Sequence, residues 1–409
     1  VISTQAELEA ALLAGGDIVV DSGVTIDLTA TMQVTQPSRI RGGRFTRDSG
    51  PAFEITSAGV DVDDVEITGG GAAAGYDPTQ KLIYAHGGAA APLTDVRIRN
   101  CTLRGSRGDN IWLEWCTGAV VDGTDIASYL YSGVMVISGR RIMITNNQVR
   151  DAPLTAGVVN VYGIAITDLD NTDAARSRDC SVLGNQVTLI DWEGIDTHGG
   201  DSLTITGNHV TGCPRGIALV TGNATRLYAP TDCLVSGNTI DAAGARQPLL
   251  AGVYLAGIAG KPASATIVGN QLLGYDTPGP VYASYWARAD TYIGDNSRPF
   301  VPWTPIEMGL DYTPNTSYPP QYLVDGNTVH LRGGVIPRSG GVAARTDIGT
   351  LPKPAAWPTI LTIAGFAKGS SPGAGNAQVA VTPAGELQML YGSGTDAYTY
   401  WLSGSYQAA

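Results

Sequence analysis

The chain has 409 residues, enough to bury a large core, and its 53 glycines with only 15% charged residues fit a turn-dense β protein rather than a disordered one. A formal net charge of −12 argues against nucleic acid or an anionic membrane as a general partner. No apolar run reaches the roughly 18 residues of a membrane span, and no secretory signal is visible.

The chain begins at Val1 rather than Met, so a missing or processed upstream segment is expected. Thr4-Gln-Ala-Glu7 has capping-box spacing, Leu8, Ala11 and Leu12 share one helical face, and Gly15-Gly16 stops the helix. One amphipathic helix ahead of a solenoid hides its open apolar end. First strands are expected around Ile18–Val20, Val24–Ile26 and Met32–Val34, so that residues 1–35 form the capping segment.

From 36 to 297 one phrase, apolar–x–Gly–Asn–x–apolar, keeps returning. It is clearest at Val182–Val187, Ile205–Val210, Val235–Ile240 and Ile267–Leu272, with looser copies from Ile40 to Asn296 and shortest steps of 22 or 23 residues. That period is too short for a helix pair and rich in β-branched residues, so each repeat reads as one coil of a parallel β-helix. Gly and Asn both suit left-handed bends. Coils stacked about 4.8 Å apart put Asn147, Asn185, Asn208, Asn238, Asn270 and Asn296 in one hydrogen-bonded column. A second strand recurs ahead of each bend (Ile111–Leu113, Val134–Val136, Ile164–Ile166, Ile195–Thr197, Ile217–Leu219, Val253–Leu255), often preceded by Gly. Its middle residue is expected to face solvent. Insertions follow this strand at 167–180, 220–233 and 256–264, with another at 72–93, and build the walls of a binding face.

Cys180 and Cys233 fall in a core column with Val96, Ile142, Leu203 and Ala265, one coil too far apart for a disulfide, and read as small buried hydrophobes. No zinc spacing is present, and the four histidines are scattered. Prolines at 299, 302, 305, 314, 319 and 320 mark 298–320 as a linker. Alternating apolar residues around Asp325-Gly326 and Pro383-Ala-Gly385 then indicate hairpins of a β-sandwich over 321–409.

The repeats with their preceding helix resemble the pectate-lyase-like right-handed β-helix superfamily. The string Val329-His-Leu-Arg-Gly-Gly-Val335, Leu351-Pro, Trp357-Pro, Val379-Ala-Val381, Gly385-Glu-Leu387, Trp401-Leu402 and Tyr406 is similar to the C-terminal head domain of bacteriophage tail fibres and tailspikes. The resemblance implies an all-β homotrimer on the virion tail, with 321–409 as head and trimerisation domain. It also implies attachment to other tail proteins upstream and binding, often cleavage, of a host surface polysaccharide.

With the second strands aligned, three outward columns follow. They are Trp112, Met135, Ala165, Asp196, Ala218, Tyr254; then Glu114, Ile137, Thr167, His198, Val220, Ala256; and a corner column Asp109, Ser132, Tyr162, Glu193, Arg215, Ala251. The coil Asp191-Trp192-Glu193-Gly-Ile-Asp196-Thr-His198 concentrates acids beside the insertions that begin at Asp168 and carry Tyr228. Glycoside cleavage needs one protonated and one ionised carboxyl, and crowded acids raise one another's pKa. Glu193, Asp196 and Asp168 are therefore the acid–base candidates. His198, Arg215, Asp191, Trp192, Tyr228, Trp112 and Glu114 are the substrate-binding candidates.

Structural readings stand beside these. Glu193 and Arg215 are spaced for a cross-rung ion pair, Asp196 for simple solvation, and His198 for a turn hydrogen bond. Asp168, Asp170 and Asp173 suit loop acids or a Ca²⁺ cage in 167–180; no other cofactor or metal is expected. Trp112 and Trp115 suit a distal subsite or a trimer contact, and the apolar Met135, Ile137 and Val220 suggest a face covered by another subunit. The polygalacturonase and pectate-lyase residue sets are absent. The leading reading is a polysaccharide-hydrolysing tailspike, against a non-catalytic receptor-binding fibre and a polysaccharide lyase or epimerase.

Overall fold

The computed structural model describes residues 1–155, 158, 160–168, 172–221, 228–258, 260–275, 279–284, 287, 291–297, 304–309, 312–315, 320–325, 328–337, 346–351, 361–367, 376–381, 386–391 and 400–407. They fall into two units, Val1–Phe300 and Val301–Ala409.

In the first unit a helix, α1 (Gln5–Ala14), carries the expected capping box between Thr4 and Glu7 and ends at Gly15 with φ +73°. Its Leu8 and Leu12 are buried in the core at the open end of the coils. The chain then winds through three parallel sheets of 11, 10 and 10 strands, in each of which every strand pairs with its counterparts one coil before and one coil after. The first sheet runs from Gly16–Val19 to Tyr292–Gly294, the second from Thr25–Asp27 to Gln271–Leu273, and the third from Met32–Val34 to Val281–Ala283. Inward residues of all three, such as Ile98, Leu103 and Ile111, form one continuous apolar core.

The bend between the first and second sheets explains the recurring phrase. Its first position has φ between +52° and +68° in coil after coil: Asp64, Asn100, Gly123, Asn146, Gly184, Gly207, Gly237, Gly269 and Asp295. Only Gly, Asn and Asp occupy it, as the left-handed region demands. The following Asn is not left-handed, so its identity comes from the column and not from a bend angle, as expected for both. Asn147, Asn185, Asn208, Asn238, Asn270 and Asn296 are stacked, each Oδ1 accepting the backbone N–H and the Nδ2 of the Asn one coil earlier at 2.8–3.0 Å. Thr124 heads the ladder by donating its N–H to Asn147.

A second column is set by close approach. A Cβ on Gly163 or Gly194 would lie 2.3 or 2.7 Å from the carbonyl oxygen of the next coil's Gly, which is why Gly recurs before the third-sheet strand. All five cysteines are free and buried, as the core-column reading requires.

The second unit is antiparallel. Gln321–Asp325 pairs with Thr328–Pro337, and Asn376–Val381 pairs with Glu386–Tyr391, matching both expected hairpins. Their turns at 326–327 and 382–385 lie outside the described residues. The proline-rich stretch 298–320 contains short strands at Thr304–Pro305, Glu307–Met308 and Tyr312–Pro314.

Candidate functional site

The third sheet carries the longest strands of the coils, six residues each from Lys81–His86 to Ala251–Ala256. Its register brings the three outward columns together as read from the sequence: Trp112, Met135, Ala165, Asp196, Ala218 and Tyr254 are successive partners. So are Glu114, Ile137, Thr167, His198, Val220 and Ala256. In the corner column Ser132, Tyr162, Glu193, Arg215 and Ala251 pair in turn, and Ser132 Oγ donates to Asp109.

The outward face is less open than a two-residue period suggests. Met135 and Ile137 are 4% and 3% exposed, packed with Tyr162 and Ala165 beneath Trp112, Tyr131 and Trp192. Met135 and Ile137 of the expected subunit-covered patch are thus already covered from within the chain, by aromatics that lean over the columns, while half-buried Val220 lines a cleft. Asp196 is likewise buried, which overturns the solvated-strand reading.

Glu193 and Asp196 form the centre of the acidic rung. Glu193 Oε1 accepts from Arg215 Nη1, and Asp196 Oδ2 lies 3.3 Å from His198 Nε2. Carboxylate oxygens of the two lie within 4.8 Å of each other. Glu193 Oε2 and Asp196 Oδ1 have no hydrogen-bond partner among the described residues. Burial raises both carboxyls above their ordinary range. Arg215 restrains the rise for Glu193, while the neighbouring Glu193 charge pushes Asp196 further up. Two carboxyls this close titrate as a pair.

In front of the pair lies a cleft of about 280 Å³, walled by Trp192, Glu193, His198, Arg215 and Tyr254 together with Asn160 and the 256–258 segment. Asp196 sits behind this wall. The Arg215 guanidinium is sandwiched 4.6 Å from the Trp192 ring centroid and 4.3 Å from that of Tyr254. Glu193, Asp196 and His198 hold donor atoms within 4.8 Å of one another, a set large enough for a divalent cation. Arg215 already supplies positive charge there.

Residues 82–240 match the family model described as "Right handed beta helix region". This is a right-handed parallel β-helix. One solved structure bears out the fold: the tailspike protein gp208 of Dettilon is 14% identical with a TM-score of 0.53, covering 98% of this chain and 89% of that one. The Azotobacter vinelandii mannuronan C-5 epimerase AlgE6 A-module is 12% identical with a TM-score of 0.48, over 72% of this chain and 94% of that one. Tailspike protein 2 of the Escherichia coli O157:H7 bacteriophage CAB120 is 15% identical with a TM-score of 0.46, over 98% and 60%. No curated protein matches by sequence.

The β-helix puts other candidates elsewhere. Asp168 is fully buried at the root of its insertion, where Oδ1 accepts the Ser177 N–H, outside the Glu193–Asp196–His198 cluster. Asp191 clamps neighbouring segments by accepting from Leu154 N, Arg246 Nε and Gln247 Nε2. Tyr228 lies between Arg176 and Lys261, 5.1 and 5.2 Å from its ring centroid. For the Ca²⁺ cage, Asp170 lies outside the described residues and Asp173 pairs with Arg178. Trp112 and Glu114 meet at a second cluster, where Trp112 Nε1 and Tyr84 Oη donate to Glu114 Oε2.

Sequence reasoning missed Tyr254 as a wall of the cleft and the buried acid Asp109 beside Lys81. Their signal was in the columns: a cation one rung from an acid in the corner column, with an aromatic two rungs along the middle one.

Proposed function

We propose that this protein is a phage tailspike that binds a host cell-surface polysaccharide along its third sheet and hydrolyses it at the Glu193–Asp196 pair. The observation that carries this reading is the buried pair of carboxyls, both raised above their ordinary range, set behind and within the wall of an aromatic-lined cleft. Glu193, which lines the cleft, gives the pair's one proton to the glycosidic oxygen, drawing it from Asp196 behind. As the C–O bond breaks, the pair's negative charge stabilises the developing cation at the anomeric carbon. Water then adds there and returns a proton to the pair, with His198 lining the approach. Asp168 has no part in this set. The reading carries with it a place on the virion tail, supported by the likeness of fold to a tailspike over 98% of the chain, and a homotrimer is part of the proposal.

The test is release of new reducing ends from host-envelope glycan by the full chain, repeated with Glu193→Gln and Asp196→Asn. Loss of release by a hundredfold or more, about 3 kcal/mol of barrier, is expected for each. Release unaffected by either change removes the pair from catalysis. Binding without release makes the protein a receptor-binding fibre. An unsaturated, ultraviolet-absorbing product means elimination.

A further inference from the structure

The Arg215 station has a counterpart on the same column. Lys81 pairs in register with Asp109, and the column continues through Ser132, Tyr162 and Glu193 to Arg215. Five coil steps of about 4.8 Å separate the two cations by about 24 Å.

The local arrangements repeat. Each cation lies against two aromatic rings: Lys81 Nζ is 5.4 Å from the Tyr84 centroid and 4.6 Å from that of Trp112, as Arg215 is held by Trp192 and Tyr254. Each has a buried acid one rung away, Asp109 or Glu193. Neither cation is fully used by the protein. Lys81 forms no ion pair among the described residues, its recorded hydrogen bond going to the Pro78 carbonyl at 2.9 Å. Arg215 gives Nη1 to Glu193, and its side chain, 17% exposed, still lines the cleft. A guanidinium on a cleft wall suits a planar anion better than a neutral sugar hydroxyl. Glu114, the acid nearest Lys81's rings, is engaged by Tyr84 Oη and Trp112 Nε1.

Resting on the glycan reading of this face, we infer that the polysaccharide is acidic, carrying carboxylate-bearing sugar residues. It is gripped at two stations, Arg215 in the cleft and Lys81 some five coils toward the N-terminus. The aromatic pairs hold each cation in place before the ligand arrives, so little ordering is needed on binding. The footprint spans several sugars, and affinity rises when a chain is long enough to reach both stations.

The experiment uses the full chain on an array of acidic and neutral bacterial surface polysaccharides, each acidic polymer printed beside its carboxyl-reduced form. Calorimetry follows with the polymers that bind, at two chain lengths and two salt concentrations. The expected result is binding to acidic polymers that drops at least tenfold on carboxyl reduction and in Arg215→Ala. Lys81→Gln is expected to weaken long chains about tenfold, to leave short ones unchanged, and to flatten the salt dependence. A purely structural Lys81 would shift the melting temperature without altering the preference for long or carboxylated chains, and that result overturns the second station. Binding confined to neutral or sulfated glycans overturns the carboxylate assignment and leaves the glycan reading standing. No glycan binding at all brings down both.

Discussion

Removing one amide from the middle of the asparagine ladder tests what holds the coils in register. In Asn208→Ala, the lost Oδ1 leaves the Asn185 backbone N–H and Nδ2 without the acceptor they now have at 2.9 and 3.0 Å. The lost Nδ2 strips a donor from the Val182 carbonyl at 2.9 Å and from Asn238 Oδ1 at 2.9 Å. Asn208 is 1% exposed, so water has no ready access to replace these bonds. Two orphaned donors at about 1–3 kcal/mol each, with Asn185 Nδ2 keeping its bond to the Ile144 carbonyl, give an expected cost of about 4 kcal/mol. Asn296→Ala makes the same deletion at the half-buried end of the ladder, where solvent substitutes, and about 1 kcal/mol is expected. Denaturant unfolding of the full chain gives the total. Hydrogen exchange of peptides spanning 182–210 shows whether the loss is local to these coils. If Asn208→Ala costs no more than Asn296→Ala, the ladder is ornament on coils that the apolar core aligns unaided.

Asp109 makes stability depend on pH. Burial raises its carboxyl from 3.8 to about 7, so protonation favours the folded state. Its contribution is fully present below about pH 4, is lost as pH climbs through about 7, and is flat beyond; Asp109→Asn removes this slope and stabilises the chain at pH 8 by on the order of 3–4 kcal/mol, read from melts across pH. Gly194→Ala drives a methyl to 2.7 Å from the Gly216 carbonyl and 2.6 Å from Val210, and about 3 kcal/mol of destabilisation is expected. Gly207→Ala meets nothing within 4 Å and has only its φ of +68° to strain it, so it loses about 1–2 kcal/mol in the same melts. The five thiols, buried and pushed up to about 12 chiefly by desolvation, stay silent toward a thiol reagent in the native protein and all react after unfolding.

The columns were legible because a solenoid turns sequence offset into vertical position. Once the bend phrase fixed one register, Asp196 had to lie between Ala165 and Ala218, and Glu193 between Tyr162 and Arg215. Depth was not legible. Alternation says which way a side chain points but not what lies beyond it, and the cover over Met135, Ile137 and Asp196 comes from residues outside the strand period, Tyr131 and Trp192 among them. The same limit explains Asp168. One residue beyond the strand, it follows outward Thr167 and turns under Gly199, where a Cβ would stand 2.5 Å from its Oδ2. A place on the neighbouring coil brought it beside Gly199 and the Ser177 N–H, and not into the set formed by Glu193, Asp196 and His198.

Each amide of the ladder from Asn147 to Asn270 donates forward to the next asparagine and back to a carbonyl of the coil before, and the last, Asn296, donates back to Ile267. A coil needs only a neighbour above and a neighbour below. Such a shaft can be lengthened or shortened by whole turns, through duplication or loss of about two dozen residues, without disturbing the turns that remain. Its loops leave from the ends of the third-sheet strands, so the surface that meets a new ligand can change while the shaft beneath it keeps its pitch.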